Sequence, residues 1–133
     1  MTTPAATVAT ILLAHGSSDA NWLAPFDNLL AHIRSGLDSE RVELAYMELA
    51  EPSLHHQVAT LAAAGYSRID ILPLFFAAGR HLRKDVPAML EQQQNELKQQ
   101  GYDLEISLHS PVGLEPEVAN AISNIVIRRI STQ

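Results

Sequence analysis

His15, Glu48 and His81 are the residues of this chain best placed to do chemistry together. Each stands beyond an apolar run: Ile11-Leu12-Leu13 before His15, Val42 to Met47 before Glu48, and Ile69 to Phe76 before the loop carrying His81. They follow one another at an even interval of about one strand–helix unit. Two imidazoles and a carboxylate gathered at one sheet edge suit a divalent first-row metal, and a neutral imidazole also accepts protons near neutral pH. Taken singly, each is equally an ordinary hydrogen-bonded side chain at a strand end; the regular placement of three argues for a shared site. Glu51 competes for the acidic role. Glu48 is preferred because it comes directly off its run, whereas Glu51 precedes Pro52 and can serve a helix N-terminus. His109, after a fourth run, either lines the same cleft or is buried and hydrogen-bonded to backbone. His55 and His56 read as rim residues and His32 as structural.

Arg80, Arg83 and Lys84 surround His81 and hold three of the chain's nine basic residues. On a protein of net charge −6, a basic cluster predicts one specific anionic ligand and disfavours nonspecific nucleic-acid binding. Gly79, just before the cluster, predicts either a positive φ or close approach of a ligand. Asp85 is a candidate N-cap, with Pro87 in the first turn of the helix that follows.

Those residues need a scaffold that brings successive strand ends to one edge. Apolar periodicity predicts strands at about 8–14, 41–47, 69–76 and 104–108, and helices at about 21–35, 52–64, 86–100 and 116–130. Pro25 falls in the first turn of the first helix and Gly36 is its C′ residue. The stripes Trp22, Phe26, Leu29, Leu30, Ile33 and Leu54, Val58, Leu61, Ala62 are expected to face the core. So are Val118, Ile122, Ile125, Val126 and Ile130 of the last helix. The order βαβαβαβα implies an α/β fold: a four-stranded parallel sheet with helices on both faces. Such sheets place ligands at the carboxyl ends of their strands.

At 133 residues, 47% apolar and 18% charged, residues 1–133 are expected to form a single domain with a sizeable core. Cysteine is absent, which excludes disulfides and thiolate chemistry. No apolar run approaches a membrane span and residues 1–7 lack the basic start of a secretion signal, so a cytoplasmic protein is expected. There is no P-loop and no glycine fingerprint for a dinucleotide, and hence no nucleotide is expected. A hydrolase's nucleophile elbow is absent too.

Three segments resemble the small sirohydrochlorin cobaltochelatases of cobalamin synthesis: Leu12-Leu13-Ala14-His15-Gly16-Ser17; Ala45-Tyr46-Met47-Glu48-Leu49-Ala50-Glu51-Pro52-Ser53-Leu54; and the run from Leu72 to Pro87 that contains Pro73-Leu74-Phe75, Gly79-Arg80-His81 and Asp85-Val86-Pro87. The resemblance implies a chelatase-like domain that inserts a divalent metal into sirohydrochlorin without ATP. Cobalt is the expected metal, with Ni²⁺ or Fe²⁺ as alternatives on the same fold. It implies that His15, His81 and Glu48 are catalytic and bind the metal, and that Ser17, Arg80, Arg83 and Lys84 hold the carboxylates of an anionic tetrapyrrole. The family often has Arg after His-Gly-Ser; Ser18 stands there instead, removing one expected substrate contact. Larger chelatases resemble two such domains folded together, so a homodimer is expected, its interface helping to wall the cleft. The competing reading is a non-catalytic metal or tetrapyrrole carrier.

Overall fold

A computed structural model describes residues 7–132; residues 1–6, most of the segment read for a secretion signal, and Gln133 lie outside the described residues. Four strands, β1 (Val8–Ala14), β2 (Arg41–Tyr46), β3 (Arg68–Pro73) and β4 (Glu105–Leu108), form one sheet in the order β2-β1-β3-β4. Every pairing is parallel. The intervening helices are α1 (Ala20–Ser35), α2 (Leu54–Ala63) and α3 (Val86–Gln99), and α4 (Pro116–Ser131) follows β4.

Side-chain alternation sends Ala9, Ile11, Leu13, Ile69 and Ile71 to one face, where they meet Leu54, Val58 and Leu61 of α2 and Val86, Leu90 and Leu97 of α3. Leu12, Val42 and Leu44 face the other way, against Phe26, Leu30 and Ile33 of α1. A parallel sheet is stable only when both faces are covered. Here α1 covers the β2–β1 half of its face, and among the described residues no helix packs substantially over the β3–β4 half of that same face.

The structure corrects several expectations. Pro25 lies inside α1 rather than in its first turn, because Asp19 caps the helix six positions earlier, its carboxylate accepting the Asn21 N–H at 2.9 Å. Gly36 ends α1 with φ −93°, so no left-handed turn is needed there. Trp22 is 63% exposed and Leu29 38%, leaving α1 a narrower apolar stripe than its periodicity predicts. The third strand stops at Pro73. The largest departure is α4, which has no buried residue. Ile122, Ile125, Val126 and Ile130 are 38–63% exposed, since the helix runs off the sheet instead of across it.

The start of α3 also differs. Residues 81–85 form a π-helical turn running into α3, in which the Val86 N–H donates to the His81 carbonyl. Asp85 has helical angles (φ −73°, ψ −43°) and its side chain caps nothing. It is committed instead to His81, one turn earlier on the same face.

Candidate functional site

The carboxyl ends of β1, β2 and β3 are laced together beyond the strands. Ala14 and His15 carbonyls accept the N–H groups of Met47 (2.9 Å) and Glu48 (3.1 Å), and the Leu13 carbonyl accepts that of Leu74 (2.8 Å). The lacing demands Gly16, whose φ is +95° and whose hypothetical Cβ would stand 1.9 Å from the Glu48 carbonyl oxygen. Such overlap leaves no room for a side chain, and φ > 0 disfavours one independently. The Tyr46 Cβ packs beneath Gly16, and burial and then the Asp27 charge push its phenol pKa up.

The loop from β2 to α2 is equally constrained. The Tyr46 N–H donates to the Pro52 carbonyl at 2.9 Å, and Leu49 adopts φ 63°. Glu51 accepts the Ser53 N–H at 3.2 Å, and Ser53 caps α2 by accepting the His56 N–H at 3.1 Å. Glu51 therefore serves the start of α2, and Glu48 is left exposed with its backbone tied to His15.

His15 and His81 line one cleft of about 430 Å³ together with Met47, Phe75, Gly79 and Arg80. The His15 ring lies on Phe75, centroids 4.3 Å apart and planes tilted by 34°. His81 is held differently: its Nδ1 lies 2.7 Å from Asp85 Oδ2. A carboxylate only accepts, so Nδ1 carries the proton and Nε2 is the nitrogen free to bind an ion or take a proton. Gly79 does not use a positive φ, and a Cβ there would meet nothing within 4 Å. Its smallness keeps the cleft wall open.

The other predicted residues fall around this cleft. Among the described residues no three His, Asp or Glu side chains stand close enough to hold an ion together: the expected trio reduces to two imidazoles in one cleft, with Glu48 outside its lining. Arg80 lines it; Arg83 and Lys84 are exposed on the adjoining π-turn. The Ser17 hydroxyl accepts the Asp19 N–H at 3.0 Å and so also shapes the loop before α1. His109 is exposed and outside the cleft, its Nε2 lying 3.3 Å from Asp70 Oδ1. Phe75, Met47 and Asp85 are the site residues that spacing alone did not single out. Asp85 was findable as the fourth residue after His81 once the helix is started earlier.

The chain has known likenesses. The CbiX family model matches residues 9–129. A cobalamin (vitamin B12) biosynthesis CbiX protein of Marinobacter aquaeolei VT8 is 41% identical, with a TM-score of 0.80 over 95% of this chain and 99% of that one. The sirohydrochlorin cobaltochelatase of Saccharolobus solfataricus is 25% identical over 123 residues, 91% of each protein. The sirohydrochlorin chelatase SirB of Bacillus subtilis subspecies spizizenii, solved in complex with cobalt, shares the fold at 20% identity and a TM-score of 0.76; this chain spans 49% of its length.

Proposed function

The chain belongs to the CbiX family, and from that premise we propose that it inserts a divalent metal ion, cobalt first, into sirohydrochlorin. The observation that carries this reading is the pair of imidazoles, His15 and His81, facing one open cleft.

Metallation exchanges two pyrrole N–H protons for one divalent ion. The two imidazoles match that stoichiometry: each can hold the incoming ion and each can accept one proton. Asp85 fixes which nitrogen of His81 does so. Phe75 gives His15 a flat apolar backing and extends an apolar wall toward a planar ring. Arg80, Arg83 and Lys84 supply positive charge for the substrate's peripheral carboxylates, with Ser17 as a further hydrogen-bonding group. Glu48, exposed beside His15, adds the negative charge that draws the ion to the cleft mouth. Two neutral donors with a carboxylate nearby hold a cation loosely, which favours turnover over storage and disfavours the carrier reading.

The same reading makes the enzyme a single-domain, cytoplasmic homodimer that uses no nucleotide. A one-domain chain about half as long as SirB supplies half the walls of a tetrapyrrole cleft, and a second copy supplies the rest. Anaerobic incubation with sirohydrochlorin and Co²⁺, Ni²⁺ or Fe²⁺ in turn, followed by absorbance, tests the activity. Many turnovers per chain, fastest with Co²⁺, are expected. Stoichiometric binding with no acceleration of insertion would replace the chelatase by a carrier.

A further inference from the structure

A second hollow, of about 250 Å³, shares no lining residue with the imidazole cleft. It lies along the outer edge of β2, a terminal strand of the sheet, between α1 and the start of α2. Leu23 and Leu30 of α1, with Leu44 and Pro52, give it apolar walls. Its polar groups are Asp27, Glu43, Tyr46, Glu51 and Gln57, and no basic side chain is among them. The strand edge itself is closed. The Arg34 guanidinium donates to the Val42 carbonyl, Gln57 Nε2 donates to the Leu44 carbonyl at 2.8 Å, and the Tyr46 N–H goes to the Pro52 carbonyl at 2.9 Å. Those bonds occupy outward backbone groups that an added strand would need, so the hollow is left to a small occupant.

Its charges are not balanced within the chain. Glu43 is paired with Arg34 and Arg41, but Asp27 and Glu51 enter no ion pair among the described residues. Glu51 spends one oxygen on the Ser53 N–H and keeps the other. Two further acceptors belong to buried side chains: Tyr46 is 4% exposed and Gln57 8%. Gln57 gives its amide N–H to Leu44, which leaves Oε1 without a partner among the described residues. The Tyr46 hydroxyl has no hydrogen-bond partner there either, and burial and then the Asp27 charge keep it neutral. A neutral phenol can donate to a carboxylate and accept from a ligand at the same time. Buried polar groups are ordinarily partnered, and two left open along one acidic hollow mark where a ligand's donors belong.

A metal ion is a poor occupant, because among the described residues no three carboxylates or imidazoles stand close enough to hold one. An ammonium group needs no such convergence: its three N–H donors reach oxygens spread around it. The apolar walls suit a short hydrocarbon chain behind that head, and the volume falls below the ~300 Å³ at which sites for drug-sized molecules begin. We infer that this hollow binds a small primary aliphatic amine, its ammonium held among Asp27, Glu51, the Tyr46 hydroxyl and the Gln57 carbonyl, and its chain against Leu23, Leu30 and Pro52. The site owes nothing to the metal-insertion chemistry, so it stands or falls separately from it.

The test titrates n-butylammonium into the full chain at constant ionic strength while backbone amide NMR shifts are followed. Amides of residues 23–30, 43–46 and 51–57 should move together and saturate with one roughly millimolar constant, the strength open to so small a ligand. Asp27→Asn, an exposed change expected to leave the thermal midpoint alone, should weaken binding about 10-fold. Tyr46→Phe, which removes only the hydroxyl, should weaken it about 2–10-fold. n-Butanol, the same chain without the charge, should not saturate these shifts, and K⁺ should bind at least ~10-fold more weakly than the amine, since it gains nothing from the apolar walls. Shifts that fail to saturate, or that centre on the imidazole cleft, overturn the site. Undiminished affinity in Asp27→Asn removes the ammonium contact and overturns it too. K⁺ binding as tightly as the amine overturns the aliphatic ligand and leaves a bare monovalent-cation site in its place.

Discussion

His15 and His81 face the same cleft, but the protein holds them by opposite means. His15 stands on a backbone loop that is laced to its neighbours and forced into shape by Gly16, and its ring rests on an apolar partner, Phe75. His81 stands on an exposed helical turn and is oriented by one charged partner, Asp85. The first imidazole is positioned by the fold and the second by a side chain. Damage to the first should therefore travel into stability, and damage to the second should stay in the chemistry.

Replacing either ring sets the scale. His81→Ala should lower metal insertion by about 10²–10⁴-fold while tetrapyrrole binding, followed by absorbance, stays largely intact; normal insertion would remove His81 from the mechanism. Gly16→Ala breaks the first arrangement at its base. The overlap and the positive φ together should cost on the order of 3 kcal/mol or more, seen as a thermal midpoint lowered by roughly 10 °C. An unchanged melting curve would show that the loop does not need its lacing. Asp85→Ala breaks the second arrangement without touching the fold. Insertion should fall about 10–100-fold with little change in melting or substrate KM, and Asp85→Asn, whose carbonyl still accepts from Nδ1, should recover most of it. Arg83→Ala or Lys84→Ala should raise KM a few-fold with kcat held, and the effect should shrink as salt is added; a kcat effect that ignores salt would assign these residues another role. Gly79→Ala should change the melting point by less than about 2 °C, since its Cβ enters open space. Any loss it causes must then appear as weaker binding of the bulky ring.

The strands were legible because each is a short apolar run bounded by glycine, proline or charge, and a parallel sheet followed from their alternation with helices. The pair His15 and His81 was legible for the same reason: sheet topology alone brings strand ends together. Glu48 was expected in the cleft with His15 and His81; its backbone is bonded to His15 but its side chain stands outside the cleft lining, because spacing locates a backbone and says nothing about where its side chain stands. Asp85 was misread since Asp followed by Val-Pro is a cap signature, and only the π-helical turn shows the helix already running. Periodicity in α4 correctly gave a helix and an apolar stripe. It could not tell whether the stripe meets this chain or another, because amphipathicity records that a face is to be covered and not by whom.

The π-helical turn at residues 81–85 has a bearing on length variation in this segment. Such a turn holds one residue more than α-winding needs over the same rise. Deleting a single residue between Gly79 and Asp85 would therefore relax the turn to an ordinary α-helix and leave α3 seated through Val86, Leu90 and Leu97. The fold would survive, but with the residue removed between His81 and Asp85 the imidazole and its carboxylate would stand three positions apart instead of four, still on one helix face but without the spacing that sets their 2.7 Å contact. A shortened turn would thus yield a folded protein whose second imidazole is oriented anew. The count of residues between the glycine and the aspartate matters to this protein as much as their identity.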